Sequence, residues 1–365
     1  MKVLLAGGGT AGHINPLLAT AAALVAGGDE VLALGTQSGL EAELVPAAGV
    51  KLEYIPKVPL PRKPSLDLLK VPLNLSRAVK RCEQICRDFQ PDVVVGFGGY
   101  VSTPLYLAAR KMGISIAIHE QNARPGLANR LGARFAKALG LTFASTPLKA
   151  KAGITEVVGL PLRPAIGQLV KQKAEDDSSA RIEAAKHYGF DPALPTLLVT
   201  GGSLGAAHLN QVFADNLGTL PKNVQVLHLT GKGKASDLLR LTAHLPNYRV
   251  QEYEPEMEKA LAIADLVVCR SGAGTVAEMT ALGLPAVYVP LPIGNGEQKL
   301  NAADVVAAGG AKLVLDKDFS AQTLTEVVWP WLTNPQELAT ASLASASCGV
   351  QDAAQRFAQL VRKVA

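Results

Sequence analysis

Two stretches about 190 residues apart share one pattern, LLAGGGTAGHINPLL from Leu4 and LLVTGGSLGAAHLNQ from Leu197. Each passes from a short apolar segment through clustered glycines into an apolar helical pattern, the opening of a βαβ unit. A chain carrying that unit twice has few folds open to it. Parallel strands must be covered by helices on both faces, and the glycine turns then fall at the carboxyl ends of the strands, where open α/β sheets bind ligands. The length agrees, since 365 residues suggest two domains, and 48% hydrophobic against 18% charged residues is enough for two cores. The expected fold is α/β, two Rossmann-like doubly wound domains facing a central cleft.

Further strand, turn and helix units follow the same logic. ADLVVCR and PAVYVP bracket a helix that opens on Ser271, Gly272, Ala273 and Gly274 and continues through Thr275 and Glu278. The unpaired N–H groups and aligned dipoles at such a helix start favour an anion by roughly 0.3–1 kcal/mol, so a phosphate suits it. Glu278, one turn in, is placed to accept from ribose hydroxyls. PDVVVGFGGY is another strand and turn. ISIAIHEQN ends in His119, Glu120, Gln121 and Asn122, a polar cluster that packing does not explain. His13 lies in the first glycine turn, facing the ligand crevice. Glu120, if desolvated, would titrate near neutrality and serve as a base.

Gly7, Gly9 and Gly12 also fit the dinucleotide fingerprint, but no acid stands at the tip of the second strand and Glu41 comes later, which argues against nicotinamide. Asp316 and Asp318 form a D-x-D in the charged run LDKDFS, which reads as a solvent-exposed turn rather than a metal site. Cys82 and Cys86 stand one helical turn apart with no further ligand pair, so neither zinc nor a disulfide framework is expected. No secretory signal or apolar run of bilayer length is visible, so the expected compartment is the cytoplasm.

The net charge of +5 is local. Lys57 to Arg87 holds eight basic residues against Asp67 and Glu83, a net +6, so the remainder is nearly neutral and nucleic-acid binding is not expected. Leucines from Leu66 to Leu73, ringed by Lys63, Lys70 and Arg77, suit an anionic membrane surface, each basic residue adding about 1 kcal/mol. The competing expectation is an amphipathic helix packed on the core through Leu75, Ala78, Cys82, Ile85 and Phe89, bent at Pro72.

GGTAGH, GFGGY, HEQN, GLPLR, GGSLGA, CRSGAGTVAE and GEQKLNA, in this order, resemble the MurG-type family of UDP-N-acetylglucosamine:lipid-linked muramyl-pentapeptide glycosyltransferases. The resemblance implies a GT-B glycosyltransferase, peripheral on the cytoplasmic side of the membrane. It would transfer N-acetylglucosamine to undecaprenyl-pyrophosphoryl-muramyl pentapeptide for peptidoglycan. Residues 1–162 would be the acceptor and membrane-facing domain and 163–344 the donor domain, with the helix in 345–365 packing back on the first. Thr10, Ala11 and Gly12 would line the cleft, and Asn122 would touch the donor. Arg163 and Ser203 would lie on the nucleotide, Ala273, Gly274 and Thr275 on the pyrophosphate, Glu278 on the ribose and Gln298 on the N-acetylglucosamine. His13, or else Glu120, would be the base of an inverting displacement. No metal or other cofactor is required, though a divalent cation would be compatible. Other readings are a GT-B enzyme acting on a soluble natural product, a non-catalytic nucleotide-sugar scaffold, and an NAD-dependent dehydrogenase.

Overall fold

The computed structural model describes residues 1–58, 71–202, 204–293 and 295–365. The chain divides into two units, Met1–Arg163 with Asp352–Ala365, and Pro164–Gln351. Pro164 opens a helix at the first crossing, and the chain leaves the second unit only after the helix Pro335–Ser347, so residues 345–351 stay with that unit.

The first unit is built on seven parallel strands: β1 Lys2–Ala6, β2 Glu30–Gly35, β3 Lys51–Tyr54, β4 Val93–Gly96, β5 Ser115–Glu120, β6 Ala138–Leu141 and β7 Ile154–Val157. Their order is β3-β2-β1-β4-β5-β6-β7. The inner strands are buried along nearly their whole length because helices cover both faces. The edge strands β3 and β7 are short and partly exposed, and the polar KLEY of β3 carries no apolar signal of its own. On one face, Ile14, Leu17, Ala21 and Leu24 of the helix Ala11–Ala26 pack with Phe357, Leu360 and Val361 of the last helix, Ala353–Arg362. The other face carries the helices Val71–Phe89 and Gly99–Met112.

The Val71–Phe89 helix buries Ala78, Cys82, Ile85 and Cys86, as the amphipathic expectation has it, while Leu73 in its first turn is 55% exposed. Burial pushes the Cys86 thiol up to about 11 and the Cys82 thiol higher still, which keeps both protonated. Pro72 lies at the edge of the described residues, so the bend expected there falls outside them. Lys63, Lys70, Leu66 and Leu69, called on for a membrane face, lie outside the described residues.

The second unit has six parallel strands: β8 Thr196–Thr200, β9 Gln225–Leu229, β10 Tyr248–Gln251, β11 Leu266–Cys269, β12 Ala286–Tyr288 and β13 Ala311–Leu313, ordered β10-β9-β8-β11-β12-β13. Its core joins Leu197, Val199, Val268 and Val287 to Phe213, Phe319, Trp329 and Trp331. The charged AEDDSS run falls within the helix Pro164–Tyr188, which is interrupted at Asp176. The Asp176 carboxylate accepts from the Ser178 N–H (3.0 Å) and hydroxyl (2.6 Å) and restarts the helix as a cap.

Both sheets reverse strand order at one point, between β1 and β4 in the first unit and between β8 and β11 in the second. Crossovers leave the sheet in opposite directions there, opening a crevice at the carboxyl ends. Register places Ala6 beside Gly96 at one such point and Thr200 beside Cys269 at the other.

Candidate active site

In the first unit the switch point is lined by the turns after β1 and β4. Thr10 is extended (φ −145°, ψ 154°) and precedes the helix Ala11–Ala26, so Ala11 and Gly12 supply amides of its first turn. The Thr10 hydroxyl lies 3.0 Å from His13 Nδ1, and the His13 N–H donates to the Thr10 carbonyl (3.1 Å). With Nδ1 engaged, the other ring nitrogen, Nε2, is left beside the second turn. A Cβ built on Gly98 would lie 3.3 Å from it. Burial lowers the His13 pKa, outweighing the opposite effect of a ring N–H that donates to the Gly8 carbonyl, so the ring is neutral at pH 7 and able to take a proton.

Glu120 is placed differently from a base. It is 1% exposed at the end of β5, and its carboxylate accepts from the Asn122 N–H (3.0 Å), the Gly126 N–H (3.0 Å) and Asn129 Nδ2 (3.0 Å). Asn129 also donates to the His119 carbonyl (3.0 Å) and accepts from the Tyr106 hydroxyl (2.9 Å). A carboxylate that organises its own loop through three donors is poorly disposed to receive a substrate proton. The rest of the HEQN cluster is also internal. Burial drives His119 down to about 4 while its Nε2 holds the Gly159 carbonyl (2.8 Å), and Gln121 Nε2 donates to the Phe97 carbonyl (2.8 Å). Only Asn122 of the four is partly exposed. Arg163 is also partly exposed and ends the first unit.

Glu41, set aside in the sequence as too late for a ribose, is directed inward. Its Oε2 accepts from the Gly9 N–H (3.2 Å), so the acid lies behind the glycine turn, unlike the ribose-facing acid of a dinucleotide site.

In the second unit the turn after β8 takes positive φ at Gly202 (80°) and Gly205 (67°), and a side chain on Gly205 would overlap the Thr230 carbonyl. Lys234 Nζ donates to the Leu204 carbonyl (2.7 Å) and pins the turn; Ser203 lies outside the described residues. Asn210 fixes the following helix, Ala207–Asp215, by accepting at Oδ1 from His228 Nε2 (3.0 Å) and donating through Nδ2 to the Thr230 carbonyl (3.0 Å).

The other side of this switch point is the start of the helix Ala273–Ala281. Val276 is the first residue whose N–H reaches a helical acceptor (Gly272 O, 3.0 Å), so the amides of Ala273, Gly274 and Thr275 precede the ladder. The Ser271 hydroxyl is fully buried and has no hydrogen-bond partner among the described residues, which is uncommon for a buried polar group. Glu278 is half-buried on this helix. Gln298, in the helix Glu297–Asn301, accepts from the Leu291 N–H (2.9 Å), which leaves its amide NH2 as a donor.

One acid differs from its sequence-based reading. Asp316 is no solvent-exposed turn: it receives Arg270 Nη1 (2.5 Å) and lies 3.3 Å from His208 Nδ1, while Asp318 is exposed. Arg270 also donates to the Val289 and Pro290 carbonyls (3.0 and 3.2 Å), so this clamp ties the residue before Ser271 to β12 and to the helix after the GGSLG turn. Glu254 is buried, accepting from the Tyr188 hydroxyl (2.8 Å) and the Glu256 N–H (2.9 Å).

Paired parallel sheets with glycine turns at both switch points define a protein of two Rossmann-like domains, and the family of the chain makes it a glycosyltransferase. The chain belongs to glycosyltransferase family 28, whose N-terminal domain matches residues 3–140 and whose C-terminal domain matches residues 196–357. Among its relatives are proteins named UDP-N-acetylglucosamine--N-acetylmuramyl-(pentapeptide) pyrophosphoryl-undecaprenol N-acetylglucosamine transferase. That of Nocardioides sp. is 50% identical over 99% of this chain and 97% of its own, and that of Bifidobacterium longum 47% identical over 100% and 97%. The crystal structure of Acinetobacter baumannii MurG superposes with a TM-score of 0.79 at 30% identity, covering 99% of each chain. A UDP-GlcNAc 2-epimerase from Neisseria meningitidis shares the fold at 15% identity (TM-score 0.72, 100% of each chain).

Proposed function

We propose that this chain transfers N-acetylglucosamine from UDP-N-acetylglucosamine to undecaprenyl-pyrophosphoryl-N-acetylmuramyl-pentapeptide, the glycosyl step that yields the lipid-linked disaccharide of peptidoglycan. The observation that carries the reading is 50% identity over almost the whole of both chains, which brings both switch-point turns across together. It is a hexosyltransferase.

The reaction is a single displacement with inversion. The acceptor hydroxyl oxygen bonds to the anomeric carbon, the bond from that carbon to the UDP oxygen breaks, and the hydroxyl proton passes to His13 Nε2. A positioned base contributes typically 10²–10⁴-fold. Thr10 supports the assignment because its hydroxyl orients the ring at Nδ1. Glu120 in this account shapes the loop that presents Asn122 to the donor. The departing diphosphate is received by the amides of Ala273, Gly274 and Thr275, with the Ser271 hydroxyl as a further donor and Ser203 on a phosphate. Arg163 lies on the nucleotide, Glu278 accepts from the ribose, and the Gln298 amide donates to the N-acetylglucosamine. Thr10, Ala11 and Gly12 line the site near the sugar and phosphates.

The enzyme works as a peripheral protein on the cytoplasmic face of the membrane. Among the described residues no helix is long and apolar enough to cross a membrane, while Leu73 is exposed on the same helix as the exposed Arg77 and Lys80. Purified protein given UDP-N-acetylglucosamine and a lipid-linked muramyl-pentapeptide should yield the disaccharide by mass spectrometry; no product from protein that binds UDP refutes the transferase reading. Co-sedimentation with anionic vesicles should weaken in high salt and on Lys63→Glu, Lys70→Glu and Arg77→Glu, and an absence of any binding would end the membrane assignment.

A further inference from the structure

The mechanism leaves one buried carboxylate at the first turn without a part. Glu41 begins the short helix Glu41–Ala47 after β2, and it is fully buried. Its Oε1 accepts from the Thr36 N–H (3.0 Å), the Thr36 hydroxyl (2.9 Å) and the Tyr100 hydroxyl (3.2 Å), and its Oε2 accepts from the Gly9 N–H (3.2 Å). The turns after β1, β2 and β4 therefore converge on a single side chain.

Glycines make the room for it. A Cβ on Gly8 would lie 2.7 Å from Val101 Cγ2 and 3.0 Å from Glu41 Cδ, and Cβ atoms on Gly35 and Gly39 would press into the Glu41 side chain. Gly9 has φ +89°, and a Cβ there would lie 3.0 Å from Tyr100 Cε1. The glycine run of the first turn is thus fitted to Glu41 and Tyr100 on its inner side, whatever it meets on its outer side. Burial alone would push the Glu41 carboxyl up, but the backbone N–H groups of Glu41, Gly9 and Thr36 and the Thr36 hydroxyl together hold it below the ordinary range.

We infer that Glu41 is a positioning residue for the transfer reaction: by holding the Gly9 amide it sets Thr10, the next residue, and through the Thr10 hydroxyl the ring of His13, and it locks this turn to Tyr100. The inference rests on the assignment of His13 as base. Glu41 itself does not touch the reacting atoms. Its effect needs an acceptor at both oxygens, because donors face each of them. A glutamine keeps the shape but must turn its NH2 toward either Gly9 or the Thr36 and Tyr100 donors, leaving buried N–H or O–H groups without an acceptor.

The test is a double-mutant cycle on kcat, measured with lipid-linked acceptor and saturating UDP-N-acetylglucosamine. Glu41→Gln should lower kcat roughly 10- to 100-fold, the scale of a small misplacement of a catalytic group. UDP affinity should be unchanged, since the proposed diphosphate site is built from the other unit. In a His13→Ala background the same substitution should have no further effect on the residual rate. A role confined to general folding would lower both backgrounds by the same factor, and such multiplicative losses overturn the proposal, as does a wild-type kcat for Glu41→Gln. Should Glu41→Gln not fold, Thr36→Val, which removes one donor to Oε1, carries the same cycle with a smaller loss and the same deciding outcomes. Wild-type protein that transfers no sugar overturns the proposal together with the reading beneath it. Wild-type turnover with multiplicative losses overturns the proposal alone.

Discussion

Gly98→Ala is the sharpest single perturbation of the proposed base, because it acts on His13 without altering that residue. Gly98 has φ 89° and ψ −169°, a region that is essentially open to glycine only, so alanine there costs about 1–3 kcal/mol. The new methyl would lie 3.3 Å from His13 Cδ2 and Nε2 and 3.4 Å from Asn129 Nδ2, closer than carbon sits comfortably, so the ring must retreat by a few tenths of an ångström. If a displacement of 1 Å costs about 100-fold in rate, this retreat costs roughly 3- to 10-fold in kcat. The first unit should lose about 2–4 °C of melting temperature per kcal/mol. UDP affinity, measured by calorimetry, should be that of the wild type. A variant that melts earlier but keeps the full kcat would refute the placement of His13 at the reacting hydroxyl, and a loss of UDP affinity would refute the division of labour between the units.

Three further outcomes follow from the same geometry. Because burial lowers the His13 pKa, kcat/KM should fall on the acid side with an apparent pKa below 6.5, and His13→Ala should abolish that limb of the pH profile. His119 and His228 are buried and neutral, with values of about 4 and about 3 against an ordinary 6.5, so the unfolded chain takes up protons first as pH falls. Stability should be intact above about pH 6.5 and then erode by up to about 1.4 kcal/mol per pH unit for each, seen as a falling melting temperature that His228→Gln partly flattens. Asp316→Ala strands the Arg270 guanidinium, which is only 12% exposed, and should cost roughly 3–5 kcal/mol of stability and weaken UDP binding, whereas Asp318→Ala should do neither. Equal effects of the two substitutions would show that the clamp does not support the diphosphate turn.

The parallel architecture was legible because its signal is local and repeated: an apolar run, then glycines, then an apolar helix. Strand β3 was not, because Lys51–Tyr54 is a four-residue edge strand whose polar side chains share the burial pattern of a loop. The D-x-D run misled for a related reason. Composition makes LDKDFS a surface turn, but Asp316, just beyond β13, meets Arg270, more than forty residues away in sequence, and only the sheet order β11-β12-β13 brings the two together. Glu120 was legible as important and not as to its role. A polar residue ending a buried strand is equally consistent with chemistry and with loop architecture, and the distinction lies in the amides of Asn122 and Gly126, which follow it by two and six residues and curl back only in the fold.

Glu41 carries this furthest. In a dinucleotide fold the diagnostic acid follows the second strand directly and faces outward; here the acid stands six residues beyond Gly35 and faces inward, so the same fingerprint of glycines serves a different end. The signal was present in Gly39, where the Glu41 carboxylate takes the space of a side chain, in Gly35, where the Glu41 methylenes do, and in Gly8, where Val101 and Glu41 share it. A glycine-rich turn is usually explained by the ligand it admits. In this chain part of the explanation is the acid behind it, and a site survey limited to groups facing the crevice would pass over the residue that holds the crevice in shape.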